Sequence, residues 1–338
     1  MLCCDLDMNL AQLAQISQIV LALIFSTAAL QIGQSVLLPL VLALLIYALV
    51  LPGIDFLMKR WKFPRWLAVL LSLLFCTGIA TLGFIFCFVS IRNFSFEATT
   101  YRVRIQEVIT ALQGIGNRWG VDLNLDQIFE DVDSTRMWNW GQSVTENILT
   151  LISYAGLVVI YLIFLLLGKS RNDKWPRPLV EVQSSMSRYV WVKSILSFSM
   201  ATIVGVLLWI LGAELTLLFS FLTFFLNFIP SLGSALSVLL PLPVLWLQFG
   251  LGVEFWVFLG VAGATQVYVG NLLEPSLMGR SMDLHPVTVM FFLVFWSFVW
   301  GIAGAFLAVP LTVILKMTLE RIPTTRRLSA LMSGRING

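Results

Sequence analysis

Long apolar runs separated by short polar turns dominate this sequence. Several approach or exceed the roughly 20 helical residues that cross a bilayer core about 30 Å thick. The runs lie near 16–32, 36–57, 66–91, 148–167, 195–211, 215–229, 234–249, 254–272 and 286–315. This pattern predicts an all-α, polytopic helical membrane protein with about 7–8 spans.

Residues 92–145 break the apolar pattern, because they are polar and carry charges of both signs. Ile105, Val108, Ile109 and Leu112 recur at helical spacing, which predicts an amphipathic helix. We interpret the segment as a small extramembrane helical insert on the non-cytoplasmic side; the alternative is a long disordered loop. The chain then divides into three spans (1–91), the insert (92–145), a fourth span with a basic cytoplasmic linker (146–193) and a membrane transport half with a basic tail (194–338).

The final apolar run, 286–315, is longer than one straight span requires. Gly301 and Gly304 lie at its middle and Pro310 follows. We predict a hairpin or broken helix here, with a single long tilted helix as the alternative.

Composition excludes a soluble globular protein. Hydrophobic residues make up 59% of the chain and charged residues 12%, about half of the charged fraction of a soluble domain. Basic residues cluster at span ends, in Lys59–Arg65, 169–193 and 316–335, as cytoplasmic loops do. Both termini are therefore predicted to be cytoplasmic, and lipid rather than nucleic acid is the expected partner of these residues.

The first candidate site is the segment 227–234, which contains Asn227, Pro230, Ser231 and Gly233. Proline removes a backbone donor and glycine permits unusual dihedral angles. Interrupted helices in transporters use the freed backbone groups to hold solutes or ions. The alternative is a plain turn between two spans.

The second candidate site gathers Glu274, Arg280, Asp283 and His285 within residues 194–315, a stretch that is otherwise almost free of charge. Ionisable residues at membrane depth are costly and often functional. Glu274 is the most plausible proton or cation carrier, Arg280 and Asp283 are spaced to pair, and His285 is a candidate proton relay. The alternative is a cytoplasmic connecting loop whose charges face water.

The third segment contains Gly301, Gly304 and Pro310, and its small residues favour close helix packing. A hinge is the functional alternative. We predict that this break and the break at 229–233 face one another across a central site.

Motifs for enzymatic chemistry are absent. The sequence has no phosphate-binding loop with Gly-Lys-Ser/Thr, no His-Glu-x-x-His and no Gly-x-Ser-x-Gly. Its four cysteines have no metal-binding spacing with the single histidine. We therefore expect no enzymatic activity, no cofactor and no metal centre.

Three segments resemble the autoinducer-2 exporter family of bacterial membrane proteins. Residues 228–233 are similar to its Ile-Pro-x-x-Gly segment, residues 274–279 to its Glu-Pro-x-x-x-Gly signature, and residues 300–311 to its closing Gly-x-x-Gly and Pro-Leu region. The resemblance implies a multi-pass plasma-membrane transporter that forms homo-oligomers. It further implies export of autoinducer-2 or exchange of sodium or lithium for protons.

Three functions follow from these observations. The first is a secondary transporter that exports a small polar solute such as autoinducer-2. The second is a sodium (lithium)/proton antiporter that uses Glu274. The third is a membrane scaffold, without transport activity, that binds a partner through 92–145. For a hydroxyl-rich solute, the expected contacts are Asn227, Ser231, Ser234, Gln266 and Asn271.

Overall fold

The computed structural model describes residues 10–64, 66–75, 154–166, 177–278 and 284–334, with a few positions between 77 and 113. These residues form helices joined by short turns, and no β-strand occurs among them. Five of the described helical segments are long and apolar enough to cross a membrane. The all-α membrane fold predicted from the sequence is confirmed.

The N-terminal part contributes four described helices. They are α1 (Leu10–Ile32), α2 (Gln34–Trp61), α3 (Trp66–Phe75) and α4 (Tyr154–Leu166). A buried apolar cluster that includes Ala43, Tyr47, Val69 and Leu162 joins α2, α3 and α4. The predicted insert at 92–145 lies almost wholly outside the described residues.

Helix α2 continues through Pro52. Proline has no N–H, so in the α-helical register the carbonyl of Ala48 loses its donor. The Ser187 hydroxyl, from another helix, donates to that carbonyl at 2.8 Å. This bond satisfies a backbone group that lipid cannot satisfy.

Helix α5 (Arg177–Ile210) supplies Ser187 and runs unbroken for 34 residues. The predicted boundary of the cytoplasmic linker at residue 193 falls inside this helix. Residues 180–189 form the first part of α5. Its buried residues include Met186, Tyr189 and Val190, because this part already packs against neighbouring helices.

A helical hairpin follows. Helix α6 (Thr216–Leu226) ends just before the segment 227–231, and α7 (Leu232–Leu239) and α8 (Pro241–Phe249) continue from it. Gly233 lies so close to Leu226 that a Cβ at position 233 would overlap the Leu226 carbonyl oxygen. Only glycine permits this approach. The predicted helix break in this segment is therefore present.

Helix α9 (Val253–Tyr268) is followed by a π-helical turn (Val269–Leu273) and a short helix α10 (Glu274–Met278). The π-turn and α10 extend the line of α9 to make one apolar segment of spanning length.

The last long helical segment, α11 (Pro286–Arg321), is broken at its middle. Trp300 and Gly301 have non-helical dihedral angles, with φ −129° and +60° respectively. A Cβ at Gly304 would overlap the Trp296 carbonyl oxygen, so the chain folds back on itself there. The prediction of a broken helix is confirmed and the single straight helix is excluded. A 3₁₀ turn (Pro323–Thr325) and helix α12 (Arg326–Met332) end the described chain.

The tip of this second hairpin is held by α1. The Trp300 indole N–H donates to the Leu30 carbonyl at 3.0 Å, and the Gln31 amide donates to the Phe298 carbonyl at 3.3 Å. The two hairpins also touch, because the rings of Phe228 and Phe306 stack with centroids 4.7 Å apart. The segments that flank the two helix breaks are therefore in contact.

Candidate functional site

A cavity of about 740 Å³ opens between α5, the first hairpin, the α9–α10 segment and α11. Its wall is mostly apolar, with a few polar side chains, as is usual for sites that hold small molecules. The residues that line it are Tyr189, Lys193, Pro230, Ser231, Ser234, Ala235, Val238, Leu239, Gly263, Gln266, Val267, Gly270, Asn271, Glu274, Pro275, Leu284, Pro286, Val289, Met290 and Val309.

Lys193 and Glu274 form an ion pair in this wall. The Lys193 Nζ lies 2.5 Å from the Glu274 Oε1. The lysine side chain is only 2% exposed, whereas the glutamate is 22% exposed. A buried ammonium requires such a partner, because desolvation of an unpaired charge is costly. The pair places two opposite charges on the cavity wall with no net charge.

The backbone before Glu274 explains its position. In the π-turn, the Glu274 N–H donates to the carbonyl of Val269, five residues earlier. Pro275 follows and has no N–H, so a carbonyl of the preceding turn lacks its helical donor. Such single π-turns occur often at functional sites.

A buried amide cluster lies next to the cavity. The Gln266 Nε2 donates to the Asn227 Oδ1 at 3.2 Å, and the Asn227 Nδ2 donates to the Ser197 Oγ at 3.0 Å. Gln266 also lines the cavity. Its Oε1 and the Oγ1 of buried Thr223 have no hydrogen-bond partner in the part of the chain that the structure describes.

Ser231 has a strained backbone. Its φ of 60° and ψ of −53° belong to the classic γ-turn, and the Leu232 N–H donates to the Pro230 carbonyl at 2.6 Å. Non-glycine residues at positive φ are uncommon and often lie at functional sites. Both Pro230 and Ser231 line the cavity.

The structure brings most of the predicted solute-site residues together. Pro230, Ser231, Gln266 and Asn271 line the cavity, and Asn227 reaches it through Gln266. Gly233 does not line it, because it packs under the Leu226 carbonyl and shapes the hairpin.

Of the predicted coupling residues, the structure describes Glu274 and His285. Glu274 lies on the cavity wall, and its partner is Lys193. Exposed His285 caps α11, since its Nδ1 accepts a hydrogen bond from the Val287 N–H at 3.4 Å. Arg280 and Asp283 lie outside the described residues.

The predicted hinge residues belong to the second hairpin. Gly301 and Gly304 form its turn and Pro310 is buried in its second arm, next to the cavity-lining Val309.

Sequence reasoning missed Lys193, which it assigned to a cytoplasmic linker. A signal was available, since Tyr189, Lys193 and Ser197 are spaced four residues apart and so lie on one helical face. The structure shows all three to be buried. Within the described ranges, no group of three or more His, Cys, Asp or Glu side chains is arranged to hold a metal ion.

Comparison with known proteins identifies the chain's relatives. A family model described as "AI-2E family transporter" matches residues 19–324. The chain belongs to the AI-2E transporter family. The AI-2 transport protein TqsA of Escherichia coli (strain K12) is 28% identical over 330 residues, which cover 92% of this chain and 93% of TqsA. A protein of Haemophilus influenzae named "Putative transport protein" is also 28% identical, over 92% of this chain and 94% of its own.

Membership of the AI-2E family makes this chain a membrane transport protein. The resemblance noted in the sequence is thereby confirmed. The matched region spans both hairpins and every cavity-lining residue.

Proposed function

We propose that this AI-2E family member is a secondary transporter that exports a small polar solute, of the autoinducer-2 kind, by way of the cavity. One observation carries the proposal. The cavity lies among membrane-spanning helices, yet its wall contains a neutralised ion pair and an amide with an unpartnered acceptor.

The size and polarity of the cavity favour a small uncharged solute. Its volume of about 740 Å³ lies within the range of about 300–1,000 Å³ that small-molecule pockets occupy. Because the charges of Lys193 and Glu274 cancel, the wall offers no net charge to an ion. Ser231, Gln266 and Asn271 supply groups that bind hydroxyls, and the Gln266 Oε1 is free to accept a hydrogen bond from one.

We place the protein in the bacterial plasma membrane, with both termini in the cytoplasm, and expect a homo-oligomer. Large apolar side chains on the outer surface support a lipid or subunit environment; Trp209 is 74% exposed and Ile302 is 83% exposed. Basic residues near the chain's end, such as Arg326 and Arg327, support a cytoplasmic C-terminus.

Transport in proteoliposomes tests the proposal. The purified protein is expected to move autoinducer-2 or a related polyol down its own gradient, faster than protein-free liposomes do. Gln266→Met removes the amide at nearly constant volume and is expected to slow this flux at least tenfold. Gln248→Met is the matched control, because Gln248 hydrogen-bonds to the loop at 212–214 and does not line the cavity. Equal flux in wild type and Gln266→Met would exclude the cavity as the solute path.

The position of the Glu274 carboxylate on the cavity wall supports a second candidate function, the exchange of sodium or lithium for protons. Here Glu274 carries the proton, and Lys193 and Tyr189 are the titratable groups that face the same cavity. Glu274→Gln is expected to abolish proton movement driven by a sodium gradient in liposomes. Unchanged proton movement in this variant would eliminate the candidate. Membership of a transporter family favours both functions over a scaffold that binds a partner through 92–145.

A further inference from the structure

We propose that Ser197, Thr223, Asn227 and Gln266 form a binding site for a monovalent cation of the sodium type, immediately behind the cavity wall. The inference rests on the proposed function only in that the site shares Gln266 with the solute cavity. Cation binding itself is independent of which solute is carried.

Unpartnered buried oxygens are the first argument. Thr223 is 1% exposed and Gln266 is 6% exposed, and neither the Thr223 Oγ1 nor the Gln266 Oε1 has a partner among the described residues. Buried polar atoms are almost always paired, because an unpaired one has lost its water without replacement. Gln266 hydrogen-bonds to Asn227, and Thr223 lies one helical turn before Asn227. Two such oxygens on residues adjoining Asn227 indicate that a ligand supplies the missing interaction.

The existing hydrogen bonds leave oxygens free for a cation. Both amide NH₂ groups donate within the cluster, from Gln266 to Asn227 and from Asn227 to Ser197. Thr223 and Asn227 are four residues apart, and the Asn227 N–H donates to the Thr223 carbonyl at 3.0 Å, so their side chains share a helical face. A cation bound by the Gln266 Oε1 and the Thr223 Oγ1 leaves both amide bonds in place.

The chemistry of the cluster selects a monovalent ion. All four side chains offer neutral hard oxygens, and none is a carboxylate. Calcium and magnesium sites rely on carboxylates, which compensate their double charge. The nearest charged residue along the chain, Lys193, lies one turn before Ser197 and is neutralised by Glu274. A neutral oxygen site in a membrane interior suits a single positive charge.

The C-terminal end of α6 adds an electrostatic field that favours a cation. Asn227 is the C-cap of α6, an 11-residue helix that ends inside the hairpin. Helix C-termini carry partial negative charge, which stabilises nearby cations. Transporters with discontinuous helices use such C-terminal ends to coordinate sodium.

Cation-dependent thermal stability of the full-length purified protein in detergent tests the site. The unfolding temperature is measured in sodium, lithium, potassium and choline chloride at constant ionic strength, without solute. A ligand that binds the native state raises this temperature as its concentration rises. We expect a saturable increase with sodium or lithium over choline.

Thr223→Val is the decisive variant, because it replaces the unpartnered hydroxyl with a methyl group of the same shape. It is expected to weaken sodium binding at least tenfold, while its unfolding temperature in choline equals or exceeds that of the wild type. Thr312→Val is the matched control. Thr312 is also 1% exposed, but its Oγ1 is already bonded to the Ala308 carbonyl at 2.6 Å, so the sodium response should persist.

Several outcomes would overturn the site. They are a sodium response that survives in Thr223→Val, a loss of that response in Thr312→Val, or equal stabilisation by sodium and choline. If Thr223→Val does not fold, two other variants replace it. Thr223→Ser keeps the hydroxyl oxygen and should keep the sodium response, whereas Gln266→Met loses the amide oxygen and should lose that response. Sodium binding without solute flux would refute the proposed export and leave this site standing. Solute flux without a sodium response would refute the cation site and leave the proposed export standing.

Discussion

The Lys193–Glu274 pair makes a quantitative prediction about stability. Glu274→Gln leaves the Lys193 ammonium unpaired at 2% exposure. Breaking a buried pair by removing one partner costs about 3–5 kcal/mol. Lys193→Met leaves a carboxylate that is 22% exposed to the cavity, and water there offsets part of the penalty. We therefore expect Glu274→Gln to cost about 3–4 kcal/mol and Lys193→Met about 2 kcal/mol.

The double variant Lys193→Met/Glu274→Gln carries no unpaired charge. Replacement of a buried pair by uncharged groups is often close to neutral in stability. The double variant should then lie within about 1 kcal/mol of the wild type, which implies a coupling energy of at least about 3 kcal/mol. The exposed pair of Glu181 and Arg321, 2.9 Å apart, is the internal control, with an expected coupling below about 1 kcal/mol.

Reversible unfolding in mixed micelles, followed by tryptophan fluorescence, measures the coupling energy of both pairs by double-mutant cycles. Wild type, two single variants and the double variant of each pair are compared at one pH and one salt concentration. If the losses of unfolding free energy in Lys193→Met and Glu274→Gln simply add in the double variant, the coupling energy is zero and the reasoning is refuted. A coupling no larger than that of Glu181 and Arg321 would refute the reasoning equally.

Three further predictions concern the backbone, and the same unfolding assay checks each. Ser231→Gly should stabilise the protein by about 1 kcal/mol by relieving the positive φ, whereas Ser231→Ala should not; equal effects would show that strain is absent. Gly304→Ala should destabilise by about 2–3 kcal/mol, because the new methyl group overlaps the Trp296 carbonyl, and a silent substitution would contradict the hairpin. Ser187→Ala should cost about 1 kcal/mol by removing the donor to Ala48, and Ser199→Ala, whose hydroxyl bonds to its own helix, should cost less.

The helices were largely predictable, because apolar runs in a bilayer have few alternatives to helix formation. Proline and glycine also indicated the breaks at 230–233 and 301–304. The tight approaches of Gly233 to Leu226 and of Gly304 to Trp296 were not predictable, since they depend on how two arms pack in space.

The candidate site was predictable in part. Gln266, Asn271 and Glu274 are polar residues in apolar surroundings, and a bilayer makes such residues conspicuous. Lys193 was not singled out because it follows a run of basic residues, and charge counts along a chain do not show which charged residue is buried. The four-residue spacing of Tyr189, Lys193 and Ser197 places them on one helical face, and this pattern, unlike the charge count, indicates that Lys193 is part of a helix.

The bond from Ser187 to Ala48 has a consequence for the order of synthesis. Helix α2 leaves the ribosome more than a hundred residues before α5. During that interval, Pro52 leaves the Ala48 carbonyl without its helical donor in a bilayer that offers no other. When α5 packs against α2, the Ser187 hydroxyl donates to the carbonyl of Ala48. A proline early in the chain thus marks the place where a helix made much later must dock.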